Sequence, residues 1–487
     1  MAPNRRTVYR PALSIRVPTG TFMVTHAVPA QGSAGELTLG PSEDTLQYPV
    51  MPTRSWRLLA ILLLGSILAA ETRSLTILHT NDLHARLSPL DNRNGGFAYL
   101  AAAIRRERAN CQDCILLNAG DLVQGTPVST IFHGLPVYQI ANLLGFDAAT
   151  LGNHEFDYGW PQVRKFIDIA KYPVVSCNLV NAAGQLFTRP YTILNVNHLR
   201  VAVIGAMTDT LSTLTTPKSV GEWHTLPVLA EVRKVAAEVR PNSDLIVLLA
   251  HIAGDEEKEI LNSMPEIPVV VSGHIHSGLA EAMSRDGRVL VRVKAYSEEL
   301  GRLELQVDIQ KKAPVAWTWK RIPIDSTKIQ PAADVAREVK VWEDDVAARV
   351  DQPLAISKRP FTKAEVKGLI ERALRDETGA DFSFMNLGGV RDTLPAGQLL
   401  VRHIWDIMPF DNEVVVGTFK GRDLPAVVVG DRAVDPAREY TLAVSDFTAA
   451  NQGVEDSLRT SGLRFPHDVG LMRDLLIDWF RKKKVID

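Results

Sequence analysis

Five short apolar runs in this chain each end in residues of the type that bind metal ions. The runs LTILHT, CILLNA, AATL, LIVLLA and IPVVVS stop abruptly at Gly, Asn, Asp or His. Such runs, separated by helical stretches, predict buried strands that deliver polar residues to the loops at their carboxyl ends. In layered α/β folds, ligands bind at that edge of the sheet. The polar residues that follow these runs are Asp82, His84, Asp121, Asn153, His251, His274 and His276.

The side chains at these seven positions are carboxylates, imidazoles and one amide. They suit divalent ions such as Zn, Mn, Fe or Co, whereas a closed structural zinc site favours cysteines. Taken one at a time, each residue is more simply interpreted as a cap, a turn former or a surface residue. Together they indicate a metal site, because buried acids and imidazoles that converge on one edge are costly without a cation.

With the motifs TNDLHA, NAGDLVQG, LGNHEFD, LLAHIAGDEE and SGHIHS, the chain resembles the calcineurin-like metallophosphoesterases, and more narrowly the 5′-nucleotidase family. The resemblance implies an α/β (α+β) fold, with an N-terminal four-layer αββα sandwich and a second α/β nucleotide-binding domain. It also implies two divalent metal ions. The ligands of the first ion would be Asp82, His84, Asp121 and His276. The ligands of the second would be Asp121, Asn153, His251 and His274, with Asp121 bridging.

One position departs from many members of the family. They carry Gln where this chain has His276. The resemblance therefore leaves the identity of the first metal open.

The expected chemistry is hydrolysis of a phosphoester. Two divalent ions about 3.5–4 Å apart bind a phosphoryl oxygen and lower the pKa of a bridging water, so the predicted nucleophile is a metal-bridging hydroxide. His154 would face the phosphate and, when protonated, stabilise the transition state or help the leaving oxygen depart. Asp157 would orient that imidazole and favour its charged form. The resemblance implies the same pair, and the alternative is a helix start capped by Asp157.

The second half of the chain carries a different pattern, in GADFSFMNLGGVRDTLPAG, WDIMPFDNEVVVGTFKG and YTLAVSDFTAANQG. Glycines permit close backbone approach, arginine forks onto phosphate or carboxylate, and an aromatic ring offers a flat face to a base. These segments resemble the nucleotide-binding domain of 5′-nucleotidases, in which two Phe rings sandwich the base. The matching positions are Asn386, Gly388, Gly389, Arg391, Phe410 and Phe447. Core packing of the two rings and a simple turn at NLGG are the alternatives.

A second departure concerns the ribose. The family usually continues after the second Phe with a Gly-Gly-Asp-Gly turn whose Asp holds the ribose hydroxyls. This chain has Asn451-Gln452-Gly453, followed by Glu455 and Asp456. Recognition of the ribose is therefore left open.

Length and charge limit the possible domain organisation and binding partners. A chain of 487 residues exceeds what one hydrophobic core normally holds. The predicted parts are an N-terminal extension at 1–50, a signal peptide at 51–70, a metallophosphoesterase domain at 71–325, a linker helix at 326–350 and a substrate-binding domain at 351–487. The net charge of −2, with no basic stripe beyond RKKK near the C-terminus, argues against nucleic-acid polymers as partners.

The segment MPTRSWRLLAILLLGSILAAET, which begins at Met51, has the pattern of a secretory signal peptide. Its apolar stretch is too short for a comfortable membrane span, so we expect cleavage near Ala70 and no stable span. The predicted location is periplasmic or extracellular, with an uncleaved anchor as the alternative. Residues 1–50 would be disordered, or would not be translated because the start codon is assigned too early.

Cysteine spacing fits an exported protein. Cys111 and Cys114 stand close together just before the strand that ends near Asp121. In an oxidising compartment such a pair gives a disulfide, whereas a zinc knuckle needs a second pair that the sequence lacks.

The predicted function is a secreted di-metal phosphohydrolase that removes phosphate from nucleotides, as a 5′-nucleotidase. Three alternatives keep the same fold: a 2′,3′-cyclic nucleotide phosphodiesterase with 3′-nucleotidase activity, a UDP-sugar hydrolase, and a thiosulfohydrolase of sulfur oxidation. An alternative of another class is a non-catalytic nucleotide-binding protein. Eroded metal ligands would mark that class, but every ligand position is filled here.

Overall fold

In the computed structural model, the described residues are 71–89, 93–454 and 456–487. They belong to one compact unit, Ala69–Asp487. The extension and signal peptide predicted for residues 1–70 lie outside the described residues. Among the helices that are described, none is long and apolar enough to cross a membrane.

Two six-stranded sheets dominate the chain up to residue 323. In spatial order, the first sheet contains β14 (Ala313–Pro323), β13 (Glu299–Asp308), β1 (Thr72–Thr80), β2 (Cys114–Asn118), β3 (Ala148–Thr150) and β4 (Val174–Val175). The second contains β11 (Met283–Arg285), β12 (Arg288–Val291), β10 (Val269–Gly273), β9 (Leu245–His251), β7 (Leu199–Met207) and β6 (Tyr191–Val196). Strands β1 to β4 run parallel, as do β7, β9, β10 and β12. The carboxyl ends of each parallel set therefore lie at one edge. A separate two-stranded pairing joins β5 (Leu179–Val180) to β8 (His224–Thr225).

The two sheets pack face to face. Ile77 of β1 and Leu117 of β2 share a buried cluster with Val203 and Leu249 of the second sheet. Leu78, the next residue along β1, lies in a different cluster, because successive side chains of a strand point to opposite faces.

Helices cover the outer faces. Those of this half are Phe97–Ala109, Pro127–Ile131, Leu135–Ala141, Trp160–Ile169, Leu211–Leu214, Pro217–Val220, Val228–Val239 and Gly254–Ser263, with 3₁₀ turns at His154–Phe156 and Arg240–Asn242. In the helix Val228–Val239, the residues that recur every three or four positions are the buried ones, as an amphipathic helix requires. They pack on the second sheet, so the layers run helix, sheet, sheet, helix. The predicted four-layer αββα sandwich is confirmed.

The chain after residue 350 forms two smaller sheets. One contains β17 (Gly397–Leu400), β15 (Pro353–Ser357) and β21 (Val485–Ile486), and the other contains β16 (Phe382–Ser383), β19 (Glu439–Ser445), β18 (Glu413–Lys420) and β20 (His467–Leu471). The helices of this half are Lys363–Thr378, Val401–Ile407, Ala426–Val429, Asp446–Ala450 and Met472–Lys483, with 3₁₀ turns at Leu387–Gly389 and Gly421–Asp423. The helix Lys363–Thr378 begins with a Thr362–Glu365 capping box and ends at Gly379, whose φ of 70° is the left-handed cap.

The helix Ala333–Val350 lies within the predicted linker at 326–350. It packs against the first half, where Phe132 meets Trp342 at 4.9 Å between ring centres. Phe97 of the first half and Phe480 of the second belong to the same hydrophobic cluster. The two halves therefore share one core, and the position of the domain boundary stays a prediction.

The disulfide expected from the cysteine spacing is present. A disulfide joins Cys111 to Cys114, the first residue of β2, and Cys177 is buried and free.

Candidate metal centre

The seven predicted ligand residues converge at the carboxyl ends of β1, β2, β3, β9 and β10. His251 is the last residue of β9, and His274 directly follows β10. Asp82 and Asp121 come shortly after β1 and β2 and have 0% and 1% of their surface exposed. The structure thus brings together residues that are far apart in sequence, and their role as ligands stays a prediction.

Three of these residues form what we call the first cluster: Asp82, His84 and His276, whose ligand atoms lie within 4.8 Å of one another. The Nε2 atoms of His84 and His276 are 2.9 Å apart. Asp82 Oδ1 is 4.0 Å from His84 Nε2 and 3.8 Å from His276 Nε2. Two imidazole nitrogens and a carboxylate oxygen therefore face a common point.

The second cluster contains Asp121, His251 and His274, also within 4.8 Å. His251 Nε2 is 3.1 Å from Asp121 Oδ2 and 3.3 Å from Asn153 Oδ1. Asp121 Oδ2 is in turn 3.9 Å from His84 Nε2 of the first cluster. Asp121 is therefore the residue that both clusters share.

This donor set fits divalent cations. Carboxylate, imidazole and amide donors are what Zn, Mn, Fe or Co bind, and bringing them together in the interior is costly without positive charge. Burial, reinforced by the Asp121 carboxylate, raises the pKa of Asp82 to about 6. His251 Nδ1 lies 2.8 Å from the carbonyl of Ala119. Because a carbonyl only accepts, Nδ1 carries a proton, and Nε2, which faces Asp121, is the nitrogen that would bind an ion.

Backbone strain accompanies the convergence. Asp82, His84, Asp121 and His274 have φ values of 50°, 48°, 53° and 75°. Left-handed conformations at non-glycine residues cost on the order of 1–3 kcal/mol each and persist only where the surroundings impose them. Here the backbone N–H of Asp82 donates to the Gly120 carbonyl, and that of His84 donates to the Asp121 carbonyl, each at 3.0 Å.

Glu155 holds the backbone around Asp121, the residue that both clusters share. The sequence patterns did not single out Glu155. It is fully buried and accepts the backbone N–H groups of Asp121, Leu122 and Gly152 at 3.1, 2.8 and 2.6 Å. Burial, together with the nearby Asp121 carboxylate, raises the pKa of Glu155 to about 7. In the sequence, the only signal for Glu155 is its position inside GNHEFD, directly after the predicted site residues Asn153 and His154.

His154 and Asp157 form a hydrogen-bonded pair at the edge of the centre. His154 Nδ1 is 2.8 Å from Asp157 Oδ2, and a ring nitrogen of His154 lies within 4.8 Å of ligand atoms of His84 and Asp121. Burial alone would lower the pKa of His154, but attraction to Asp157 and Asp121 outweighs it and raises that pKa. The pair therefore favours an imidazolium beside the metal clusters.

A cavity of about 350 Å³ opens beside the first cluster. His276 and Tyr296 line one part of it, and Gly388, Arg391 and Asp456 line another. Arg391 Nη2 is buried without a hydrogen-bond partner in the described chain. An unpaired buried guanidinium nitrogen is costly unless a ligand accepts from it. The predicted arginine therefore reaches the cavity next to the metal centre.

The other predicted substrate residues differ in how they relate to the metal centre. Phe410 lies 6.1 Å from His154 and 5.8 Å from the Arg391 guanidinium, measured to its ring centre. Asn386 is buried with an unpartnered Oδ1, and a Cβ on Gly389 would stand 2.8 Å from that oxygen. Phe447 is the second residue of the helix Asp446–Ala450, and the described contacts include no ring contact between it and Phe410.

The segment that replaces the family's ribose-binding turn has a structural role. Asn451 Nδ2 donates to the Thr215 carbonyl at 3.2 Å, and Gln452 bonds the backbone of Ala449 and Leu463. Asp456 instead accepts the Gly388 N–H at 2.6 Å. The carboxylate at the cavity therefore comes from Asp456.

We expect Gly152→Ala to displace the shared carboxylate, because a Cβ at Gly152 would lie 2.1 Å from Asp121 Oδ1. Metal affinity should fall about tenfold or more, measured as metal retained after dialysis against a chelator.

The matched control is Gly368→Ala, at an exposed position of the helix Lys363–Thr378, where a Cβ meets nothing within 4 Å. It should leave metal binding unchanged and stabilise the fold by roughly 0.5–1 kcal/mol. Equal metal retention by the Gly152 variant and the unmodified chain would contradict the assignment of Asp121.

Comparison with known proteins places this geometry in a family. Residues 75–278 match the calcineurin-like phosphoesterase family, and residues 346–429 match the 5′-nucleotidase C-terminal domain. Protein UshA of Yersinia enterocolitica is 25% identical over 451 residues, which cover 79% of this chain and 82% of that protein. Endonuclease YhcR of Bacillus subtilis is 24% identical over 416 residues, which cover 77% of this chain but only 34% of that protein.

Solved structures agree on the fold. The 5′-nucleotidase precursor of Thermus thermophilus has a TM-score of 0.76 at 21% identity, covering 85% of this chain and 97% of that chain. The sulfate thiohydrolase SoxB of Thermus thermophilus has a TM-score of 0.73 at 18% identity, covering 85% and 94%. The chain therefore carries a calcineurin-like phosphoesterase domain at residues 75–278 and a 5′-nucleotidase C-terminal domain at residues 346–429, and it is a metal-dependent phosphoester hydrolase.

Proposed function

We propose that this chain is a 5′-nucleotidase that binds two divalent ions and removes the phosphate of nucleoside monophosphates. The observation that carries the proposal is the cavity in which Arg391 and Asp456 of the second half face His276 of the metal centre. A phosphate held at the metal ligands would leave the rest of its ester in that cavity. The nucleotidase name of the Vibrio parahaemolyticus relative, 25% identical over 421 residues, supports the same substrate class.

Different residues of the chain perform different parts of the proposed hydrolysis. The proposed ligands at the strand ends would hold two ions, which would supply a hydroxide nucleophile at neutral pH. Arg391 donates to a non-bridging phosphate oxygen through its unpartnered Nη2. Asp157 holds the proton on Nδ1 of His154, so that Nε2 faces the ester and gives its proton to the leaving oxygen. Phe410 lies beside both His154 and Arg391, where its ring offers a flat face to the base.

We also propose that the chain is exported. The basic, apolar and small-residue pattern at 51–70 supports this. The disulfide between Cys111 and Cys114 supports export as well, because disulfides persist in oxidising compartments.

We expect the mature protein, recovered from the periplasm or medium of a host expressing the full sequence, to begin near Glu71 by N-terminal sequencing. Retention in the cytoplasm with residues 51–70 intact would contradict export.

The substrate proposal is tested with Mn²⁺, Zn²⁺, Co²⁺ or no metal, by phosphate release from 5′-AMP, 3′-AMP and 4-nitrophenyl phosphate. Conversion of 2′,3′-cyclic AMP to a monophosphate, and of UDP-glucose to UMP and glucose 1-phosphate, is followed by chromatography. We expect metal-dependent release with kcat/KM for 5′-AMP at least about tenfold above the aryl ester, a difference of roughly 1.4 kcal/mol. Phe410→Leu should lower kcat/KM for 5′-AMP more than for the aryl ester.

Other outcomes separate the alternatives. A preference for the cyclic or 3′ substrate, or for UDP-glucose, would replace the 5′-nucleotidase assignment while keeping the nucleotide pocket. Turnover of the aryl ester alone would contradict the assignment of the cavity to nucleotides and favour the thiosulfohydrolase alternative. Absence of turnover with every metal would favour the binding protein.

We expect His154→Ala to lower kcat by roughly 10²–10⁴-fold, because it removes the proton donor to the leaving oxygen. Metal content should stay at the level of the unmodified chain. His224→Ala, an exposed histidine on β8, is the control and should leave kcat unchanged. A full loss of metal in the His154 variant would show that its imidazole is a ligand instead.

A further inference from the structure

Tyr296 contacts all three residues of the first cluster, although no sequence pattern singled it out. Its backbone N–H donates to the Asp82 carbonyl at 2.8 Å. Its ring centre lies 5.3 Å from the ring centres of both His84 and His276. The side chain is partly buried and lines the cavity beside the cluster.

The phenol oxygen of Tyr296 lies 3.2 Å from Nδ1 of His276. The other ring nitrogen of His276, Nε2, is the one that faces His84 Nε2 and Asp82 Oδ1. A metal ligand must present a lone pair, so Nε2 has to be unprotonated when His276 binds an ion. The proton of the neutral ring then sits on Nδ1 and needs an acceptor, and the phenol oxygen is placed to accept it.

The segment that carries Tyr296 is held in a strained conformation. Tyr296 and Ser297 have φ values of 64° and 62°, and two successive left-handed residues that are not glycine persist only under external constraint. The Ala295 N–H donates to the His276 carbonyl at 3.1 Å. With the bond from Tyr296 to Asp82, these contacts tie the segment to the backbone of two cluster residues.

Arg86 completes the surroundings of the ring. Its guanidinium lies 5.6 Å from the ring centre of Tyr296 and pairs with Asp392 at 2.9 Å. A cation over the ring face restrains the phenol ring. Arg86 follows His84 in the same loop, and Asp392 follows Arg391, so the ring packs where both halves of the protein meet.

We propose that Tyr296 is a positioning residue for metal binding, whose phenol oxygen accepts the Nδ1 proton of His276 and directs the Nε2 lone pair into the first cluster. It acts through His276 and does not itself bind the ion. The proposal rests on the metal centre and is independent of which phosphoester is the substrate. Its test therefore uses metal binding in place of turnover.

The experiment titrates metal-free Tyr296→Phe with Co²⁺ and follows the visible absorption bands and the metal retained after dialysis. Asn153→Ala, which weakens the second cluster, and His276→Gln, which removes the imidazole from the first, identify the bands of each cluster. We expect Tyr296→Phe to weaken the first-cluster ion by about 10–100-fold. The second-cluster ion should be unchanged.

Two comparisons separate positioning from a general loss of packing. Tyr158→Phe removes a similar hydroxyl bond, from Tyr158 to Ser129 at 3.0 Å, outside the cluster contacts, and should leave both ions unchanged. In the His276→Gln background, Tyr296→Phe should add less than about a twofold effect, because the ring whose tautomer it sets is gone. Unchanged first-cluster affinity in Tyr296→Phe would overturn the proposal. An equal weakening of both ions, or a full additional loss in the His276→Gln background, would overturn it too.

Discussion

The buried carboxylate of Asp121 is the contact on which the whole centre depends. It lies 3.1 Å from His251 of the second cluster and 3.9 Å from His84 of the first. Burial alone would raise the pKa of Asp121, but attraction to His251 and His154 outweighs burial and holds that pKa well below its usual range. A charged carboxylate in the interior must be surrounded by positive charge. Asp121 Oδ2, the oxygen that faces both imidazoles, therefore lies between the two clusters of proposed metal ligands.

Holding that carboxylate in place constrains the backbone around it. Gly152 must lack a side chain, because a Cβ there would overlap Asp121 Oδ1. Glu155 occupies the other side and collects three backbone N–H groups that would otherwise be buried without acceptors. The strain at Asp82, His84 and Asp121 is thus balanced by crossed backbone bonds between the β1 and β2 loops. The rigidity of the centre follows from this arrangement, since no single loop can relax alone.

The sequence could predict the strand ends because their signal is local. An apolar run followed by Asp, Asn or His marks a strand end without knowledge of the rest of the fold, and parallel connections bring such ends together. Tyr296 and Glu155 carry no comparable signal. The role of Tyr296 exists only because a loop far along the chain folds back onto Asp82 and His276. The expected pairing of Phe410 with Phe447 depends on loops of different strands, which no local pattern positions.

Charge balance connects the two halves of the molecule. Arg391, from the second half, lies close enough to the centre that it helps to lower the pKa of His84 and His276, after the larger effect of burial. With the two proposed divalent ions bound, the positive charge of the ions, Arg391 and a protonated His154 would exceed the negative charge of Asp82, Asp121 and Asp157. A phosphate monoester, the substrate class proposed above, carries two negative charges near neutral pH and would match that excess better than a neutral or singly charged ester. The position of Arg391 depends on its neighbour Asp392, which pairs with Arg86 beside the first cluster. The proposed metal ligands and the arginine proposed to bind the phosphate are therefore positioned by the same contacts.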